Sequence, residues 1–199
     1  IVPVAGLEPP GPAGIYDALA ATAAAVALVP DLQPSVIAQA LQSFEVAGHR
    51  GQQVAEARGI VAIDNSKATN PHAADSALAG HDSVIWVAGG QLKGAEVDDL
   101  VARHAHRLKA VALMGVDRNI IRESVEKHAP GVPIFVTDDT GPQSAMDAVC
   151  AWAVTQASSG DAIVLAPAAA SLDMYTGMGQ RGVLFAESVS AHLGGVAPK

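Results

Sequence analysis

Short apolar runs alternate with amphipathic segments along most of the chain. After residue 52, six runs have the length and apolar character of β-strands, at 54–57, 59–63, 84–88, 110–114, 132–137 and 162–166. Helical spacing of apolar residues predicts helices between them, over 71–79, about 97–106, 119–128, 144–157 and about 181–193. Because the strand runs are almost continuously apolar, they predict a mostly parallel sheet with helices on both faces, a Rossmann-like α/β fold.

The first 47 residues follow a different pattern. Residues 1–14 are rich in proline and glycine, which is typical of an extended linker. An alanine-rich stretch then predicts a helix over 16–28, and apolar spacing predicts a second helix over 34–44. Two helices cannot bury much apolar surface alone. We therefore expect residues 1–47 to be the helical tail of another domain with a hinge, and residues 48–199 to form one α/β domain.

The segment AIDNSKATNPHAA, Ala62 to Ala74, joins a predicted strand to a predicted helix. An Asn-Pro pair at 70–71 has the pattern of a helix N-cap followed by proline in the first turn. The polar turn before it puts Asn65, Lys67 and Thr69 at the carboxyl end of a strand, where open α/β sheets hold ligands. Lys67 and the helix N-terminus would favour an anion there. The same residue types are also ordinary turn formers, so composition leaves the function of this turn open.

Two further polar loops follow predicted strands. In the first, GGQLKG, two glycines allow close backbone approach and Lys93 adds a positive charge. The second, PAAASLDMYTGMGQRG, contains Ser171 and Met178. Lys93 could equally be a solvated loop lysine and Ser171 a helix N-cap. Since function collects at the carboxyl ends of the strands, we expect a site divided among this turn and these two loops.

Composition narrows the classes of function. The chain has 12 Lys+Arg against 20 Asp+Glu, a net charge of −8, and no basic run, which argues against nucleic acid as a partner. The one cysteine, Cys150, lies in an apolar-periodic segment, so we expect a buried thiol in a reducing compartment. The longest apolar stretch, 18–29, is too short to span a bilayer, and no signal peptide precedes it. We expect a cytoplasmic protein without a membrane partner.

The sequence also lacks several catalytic patterns. It contains no metal-ligand spacing, no nucleophile motif such as GxSxG and no phosphate-binding P-loop. We therefore assign no catalytic residue and no metal ligand to this chain, and we expect it to hold neither ATP nor a metal tightly by itself.

Several motifs resemble those of one enzyme family. The run DNSKATNPHAA, at 64–74, resembles the DDSKATN signature of the D-glutamate-adding Mur ligases of peptidoglycan synthesis. GPAGIYDALAATAAA, at 11–25, resembles the GxHNxxNALAA helix that closes their central ATP-binding domain, and the pair at 49–50 matches the HR that opens their C-terminal domain. The loop around Ser171 resembles their SPACASLDQF segment. The resemblance covers nearly the whole chain.

The resemblance implies the C-terminal portion of such a ligase, without the UDP-binding domain and most of the central domain. The intact enzymes use ATP and Mg to phosphorylate the alanyl carboxylate of UDP-N-acetylmuramoyl-L-alanine, and the D-glutamate amine then attacks the acyl phosphate. The portion seen here would carry the D-glutamate site and one wall of the nucleotide site, and would be inactive alone.

The resemblance also assigns individual residues. At the nucleotide it places Asp17, His49, Arg50 and Asn65; at D-glutamate or the precursor it places Lys67, Thr69, Lys93, Ser171 and the backbone N–H of Met178. This chain departs from the family pattern at three of its positions. Gly14 and Asp17 occupy the two asparagine positions of the helix motif, and Asn65 occupies a position where an aspartate commonly accepts from the ribose.

Two alternatives remain at this stage. A sister Mur ligase or a folylpolyglutamate synthase-like ligase would share the fold, but the sister signatures DYAHTPDAL, DDYGHHP and DNPR are missing from the sequence. The second alternative is a Rossmann-like binding or interaction module without catalysis.

Overall fold

A computed structural model describes residues 2–4, 7, 12–44 and 48–194. Two helices come first, α1 (Pro12–Leu28) and α2 (Pro34–Gln42). They are followed by β1 (Gln52–Ala57), β2 (Ile60–Asp64), α3 (Pro71–Ala79), β3 (Val84–Gly89), α4 (Asp98–His104), β4 (Leu108–Met114), α5 (Arg118–His128), β5 (Ile134–Val136), α6 (Pro142–Gln156), β6 (Ala162–Leu165) and α7 (Met178–Leu193). A 3-10 turn, Ala105–Arg107, continues α4. The predicted alternation of strands and helices is confirmed.

The six strands form one sheet in the order β1-β2-β6-β3-β4-β5. β1 and β2 pair antiparallel, and every other neighbouring pair is parallel. β6 lies between β2 and β3, so that Ala162 is opposite both Val61 and Val84. The sheet is therefore mostly parallel, as the apolar runs predict.

The β1–β2 hairpin turns at Arg58 and Gly59. Both residues have positive φ, 56° and 73° respectively. Two positive φ values in a two-residue loop characterise a type I′ turn, whose twist matches that of the strands it joins. The antiparallel edge of the sheet follows from this turn.

Alternate residues of the strands face two separate apolar cores. Trp86 and Leu113 pack with α3, α4 and α5 on one face, whereas Ile85 and Leu165 pack with α6 and α7 on the other. Trp86 is fully buried and satisfies its indole by donating from Nε1 to the Ala166 carbonyl at 2.7 Å. Both faces of the sheet are thus covered, which explains why the strand sequences do not alternate apolar with polar residues.

The two N-terminal helices are mostly exposed. In α1, Tyr16, Leu19 and Leu28 are 71%, 62% and 81% exposed, and Ile37 is the buried residue of α2. The predicted helices are confirmed, but α1 begins at Pro12 instead of residue 16, so residues 12–14 of the predicted linker are helical. Both helices bury little apolar surface within the described chain. The division near residue 47 stays a prediction, because residues 45–47 and half of the predicted linker at 1–14 lie outside the described residues.

Some element limits differ from those predicted. α7 begins at Met178, three residues before the predicted start, because Gly179 in its first turn weakens the helical pattern. β5 covers only Ile134–Val136 instead of 132–137, since Pro133 has no N–H to donate to the sheet. None of the helices in the described ranges is long and apolar enough to cross a membrane.

Candidate functional site

The turn after β2 is fixed by its own polar groups. Asp64 is 1% exposed, and its Oδ1 accepts from the Ser66 N–H at 2.7 Å. The Asn65 N–H donates to a carbonyl of β6 at 2.8 Å, which joins the turn to the neighbouring strand. The Asn70 side chain accepts from the Ala73 N–H at 2.9 Å, so the N-cap predicted for α3 is confirmed.

A histidine from the preceding loop completes this turn. His49 Nδ1 lies 2.6 Å from Asp64 Oδ2, and the His49 carbonyl accepts from the Lys67 N–H at 3.3 Å. Nδ1 is occupied by the Asp64 carboxyl group, so Nε2 is the ring nitrogen left for a ligand. Asp64 therefore orients His49.

Gly182 in α7 makes room for this pair. A Cβ at Gly182 would lie 2.2 Å from His49 Nδ1, 2.5 Å from Asp64 Oδ2 and 2.5 Å from Ser66 Oγ. Any larger residue would displace these groups. The sequence places Asp64 in the polar turn at the end of a predicted strand, but it does not indicate the contact with His49 or the need for Gly182, because both contacts join segments that are distant in sequence.

A cavity of about 610 Å³ opens between this turn, α1 and α3. Its lining includes all four residues that the resemblance assigns to the nucleotide: Asp17, His49, Arg50 and Asn65. Lys67 lines it as well, so two cations border the same space. The volume is in the range of small-molecule sites. The fold brings these residues together, and their roles in binding stay predictions.

Part of the cavity wall is apolar. Ala73 and Ala77 of α3 line it, and so does Tyr16 of α1. Tyr16 is 71% exposed, so its ring presents a large flat surface. This wall suits a planar ring, while Arg50 and Lys67 suit anionic groups. The sequence analysis singled out Asp17 and missed its neighbour Tyr16.

The residues assigned to D-glutamate are distributed over three loops. Within the described chain, Lys67 lines the 610 Å³ cavity, whereas Thr69, Lys93, Ser171 and Met178 lie outside its lining. Their loops share one edge of the sheet, where Gln91 and Ala170 exchange two backbone hydrogen bonds of 2.9 Å. The structure thus brings the loops together without forming a single cavity from these residues.

These residues differ in accessibility. Lys93 is exposed, and Ser171 is only 4% exposed. Met178 is the first residue of α7, so its N–H has no partner inside the helix and can donate to a ligand. The glycines of GGQLKG do allow close approach, because a Cβ at Gly89 would lie 1.8 Å from the Met114 carbonyl oxygen.

Backbone strain marks the same loops. Among the described residues, the non-glycine residues with positive φ are His49, Arg58, Lys93 and Ala168. Arg58 belongs to the hairpin, and the other three lie in the segments that meet at the carboxyl edge of the sheet. Such conformations cost of order 1 kcal/mol each and cluster at ligand sites.

One fully buried arginine joins the turn to both loops. Arg181 of α7 is 0% exposed and donates to the carbonyls of Ser66, Gly89 and Ala169. The sequence analysis did not single it out. A charged residue on the apolar face of a helix, at helical spacing from Phe185 and Val189, was the available signal.

A second cavity of about 300 Å³ lies on the other side of these loops. It is lined by Gln91, Gly115, Val116, Arg118, Asp139, Thr140, Asp173 and Met174. Arg118 donates to the Gly115 carbonyl and to Asp138, both at 2.8 Å. The Gly141 N–H, which donates to Asp139 at 2.8 Å, lowers the pKa of that carboxyl group. Its acidic lining makes it less suited to an anion than the first cavity.

A mostly parallel sheet with a cavity at its carboxyl edge defines a Rossmann-like ligand-binding domain. Residues 49–169 match the family model described as "Mur ligase, glutamate ligase domain". This match covers more than half of the chain, and the chain belongs to the Mur ligase glutamate ligase domain family.

Curated relatives agree with the family. The chain is 64% identical to the UDP-N-acetylmuramoylalanine--D-glutamate ligase of Corynebacterium diphtheriae, over 94% of this chain and 39% of that protein. It is 57% identical to the ligase of the same name from Corynebacterium efficiens, over 100% of this chain and 42% of that protein. The chain therefore spans about 40% of the length of these relatives.

Solved structures show the same fold at low identity. The UDP-N-acetylmuramate-alanine ligase of Thermotoga maritima superposes with a TM-score of 0.63 at 17% identity, over 93% of this chain and 39% of that chain. The bifunctional folylpolyglutamate synthase/dihydrofolate synthase of Yersinia pestis gives a TM-score of 0.51 at 18% identity, over 84% of this chain and 38% of that one. The predicted Rossmann-like fold and the resemblance to the D-glutamate-adding Mur ligases are confirmed.

Proposed function

We propose that this chain is the amino-acid-binding part of an ATP-dependent ligase that adds D-glutamate to UDP-N-acetylmuramoyl-L-alanine in peptidoglycan synthesis. The names of its relatives support this reaction. The observation that carries the proposal is the gathering of Asp17, His49, Arg50 and Asn65 around one cavity. An enzyme that uses ATP and a UDP-linked precursor would work in the cytoplasm.

In this proposal the 610 Å³ cavity forms one wall of the ATP site. Tyr16 and the alanines of α3 contact the base, and Asn65 accepts from the ribose through its side-chain carbonyl. Arg50 and Lys67 face the anionic end of the nucleotide or the precursor. Asp64 contributes indirectly, because it holds His49 in one orientation.

D-glutamate would bind across the three loops. Its two carboxylates need several donors, which Thr69, Lys93, Ser171 and the N–H of Met178 supply together. The D-glutamate amine attacks the acyl carbon of the activated precursor and loses a proton. The bond from that carbon to the phosphate oxygen breaks, and inorganic phosphate leaves. The role of this chain is to hold the amine within reach of the acyl carbon.

We assign magnesium and most contacts to the ATP phosphates to the remainder of a longer protein. The described residues contain no group of three side chains that could hold a metal ion. The sequence also has no P-loop to cradle phosphates. Residues 1–47 would pack on that remainder, which would cover the apolar side chains exposed on α1. Magnesium would balance the phosphate charge there.

The test uses a longer protein that contains this chain. We expect ADP formation that requires both D-glutamate and UDP-N-acetylmuramoyl-L-alanine. Arg50→Met should raise the KM for ATP at least about tenfold, since it removes a charged contact worth about 1.5–3 kcal/mol. Arg122→Met, which removes a half-buried arginine of α5 far from this cavity in sequence, is the matched control and should leave that KM unchanged.

The competing function is a binding module without catalysis. A correctly folded longer protein that shows no D-glutamate-dependent ADP formation would support the module and refute the ligase. We also expect no turnover from the 199-residue chain by itself, because phosphoryl transfer needs phosphate donors and a metal.

A further inference from the structure

Arg181 is the most deeply buried charged side chain at the carboxyl edge of the sheet. It is 0% exposed. One terminal nitrogen, Nη1, donates to the carbonyls of Gly89 at 3.3 Å and Ala169 at 3.1 Å. The other, Nη2, donates to the carbonyls of Ser66 at 3.0 Å and Ala169 at 3.1 Å. A single guanidinium thus binds three segments that are far apart in sequence.

The bonding of this arginine is unusual for a buried charge. Within the described ranges, Arg181 forms no ion pair with a carboxylate, and its Nε has no partner. Burying a cation without a carboxylate has a large desolvation free energy, so a hydrophobic side chain in this space would destabilise the fold less. Burial lowers the pKa of Arg181 to about 10, and the group is still protonated at neutral pH. Only the planar, forked guanidinium can reach all three carbonyls with fixed geometry.

The three carbonyls lie beside the residues that carry the predicted site. Ser66 precedes Lys67, Gly89 lies four residues before Lys93, and Ala169 lies two residues before Ser171. The space between the segments is full, because a Cβ at Gly90 would lie 2.1 Å from the Ala170 carbonyl oxygen and 3.3 Å from Arg181 Nη1. A change at Arg181 would therefore reach all three segments at once.

We propose that Arg181 is a positioning residue that holds the turn after β2 and the loops after β3 and β6 in fixed relative positions. It does not contact the ligand. It sets the distances among Thr69, Lys93 and Ser171, which must act together on one dicarboxylate. The identity of that ligand rests on the proposed function, whereas the fastening of the three segments rests on the hydrogen bonds alone.

Native-state hydrogen exchange on the 199-residue chain tests the fastening. Reporter amides are those of Ala68, Gln91 and Ala170, which form hydrogen bonds between or within these segments. In Arg181→Met we expect them to exchange at least about tenfold faster relative to the amides of β3 and β6. Arg181→Lys, which keeps the charge but not the fork, should give a smaller increase. If Arg181→Met does not fold, the lysine variant decides the question.

Arg107 provides a control with the same chemistry. Its Nη1 donates to the carbonyls of Leu78, Ala79 and His81 at 3.4, 3.0 and 3.1 Å, at the end of α3 and away from the three segments. Arg107→Met should leave the ratio of reporter to core exchange as in the unsubstituted chain. If all amides of Arg181→Met instead exchange faster by the same factor, and this factor equals the loss of global stability, Arg181 does not specifically hold the three segments together.

Steady-state kinetics of a longer protein containing this chain test the positioning. A variant that is merely less stable has fewer folded molecules, which lowers the apparent kcat and leaves KM unchanged. Displaced donors instead raise KM. We expect Arg181→Met to raise the KM for D-glutamate at least about tenfold, Arg181→Lys to raise it less, and Arg107→Met to keep it within about twofold.

The outcomes separate this proposal from the proposed function. If Arg181→Met speeds exchange of the reporter amides but keeps the KM for D-glutamate within about twofold of the unsubstituted value, Arg181 has no positioning role. If the unsubstituted longer protein forms no ADP with D-glutamate, the proposed function fails, and the exchange measurement still decides whether Arg181 fastens the segments.

Discussion

Three cations meet at the carboxyl edge of the sheet in different surroundings. Arg181 is buried on backbone carbonyls, Lys67 is half-buried at the cavity, and Lys93 is exposed at a residue with φ of 55°. The terminal nitrogens of Arg181 donate their hydrogen bonds to backbone carbonyls of the protein, so few donors remain for a ligand. Lys67 and Lys93 keep their ammonium groups for molecules that approach from outside, and they should respond differently to substitution.

Lys93→Ala is expected to raise the KM for D-glutamate more than Ser171→Ala or Thr69→Ala does. Loss of a hydrogen bond to a charged group costs about 1.5–3 kcal/mol, against about 0.5–1.5 kcal/mol for a neutral one. The measurement is the KM for each substrate in a longer protein, and the KM for ATP should move little. Lys127→Ala, at an exposed lysine of α5, is the control. A KM for D-glutamate within about twofold of the unsubstituted value would show that Lys93 has no such role.

Gly182→Ala should disrupt the His49–Asp64 pair, because its Cβ would lie 2.2 Å from His49 Nδ1. Overpacking of this kind costs about 1–3 kcal/mol, so we expect a lower melting temperature and a higher KM for ATP. Gly179→Ala lies one turn earlier in α7, with its Cβ at 3.9 Å from His49 Nε2, and should be tolerated. If the two variants have the same melting temperature and the same KM for ATP, the groups around Gly182 can move aside for a Cβ.

At the residue scale, the sequence predicted the groups that act locally and missed those that act across the fold. The Asn70 cap, the buried Cys150 and the close approach at Gly89 follow from nearest neighbours or apolar pattern, and all three are confirmed. Asp64 depends on His49, which lies 15 residues away in the sequence. Arg181 depends on Ser66, which lies 115 residues away. No local pattern specifies such pairs.

At the scale of elements, periodicity predicted nearly every strand and helix but could not give their order in the sheet. Apolar runs such as those of β3 and β6 are alike, and nothing in either run states which strand lies beside it. The element limits were least accurate where glycine or proline interrupts the pattern, as at the start of α7 and in β5. These limits matter for function, since the start of α7 sets the position of the Met178 N–H.

Limited proteolysis should distinguish two exposed arginines in neighbouring elements. We expect trypsin to cleave after Arg50, in the segment before β1, earlier than after Arg58 in the hairpin turn. A protease needs an extended backbone, and the strands on both sides of Arg58 are paired to each other. Mass spectrometry of early fragments gives the order of cleavage. Earlier cleavage at Arg58 would count against a hinge near residues 46–51.

At the scale of the whole molecule, stability should fall in mild acid. Burial lowers the pKa of His104 below its ordinary value of 6.5, although Asp75, 2.7 Å from Nε2, opposes the shift. Arg107 and Arg103 lower it further. The unfolded chain then binds a proton near pH 6.5 that the folded chain accepts only at lower pH. The free energy of unfolding must therefore decrease as pH falls through 6.5, until the folded pKa is reached.

His104→Gln should reduce this pH dependence. Urea unfolding at pH 7.5 and pH 5.5 gives the two free energies of unfolding, and the difference between them should be smaller in the variant. Burial also lowers the pKa of His81, so His81 accounts for part of the pH dependence that remains in the variant. If the difference is as large in His104→Gln as in the unsubstituted chain, folding does not lower the pKa of His104.

The position of β6 in the sheet has a consequence for synthesis on the ribosome. β2 and β3 are made early, yet they meet only through β6. In the register of the sheet Ala162 follows its partner Val61 of β2 by 101 residues (162 − 61) and its partner Val84 of β3 by 78 residues (162 − 84). Until residue 165 has left the exit tunnel, the nascent domain consists of two partial sheets with open, apolar inner edges. Because exposed apolar surface and unpaired strand edges promote aggregation, a stalled translation product that ends before β6 should aggregate, whereas one that includes β6 should not.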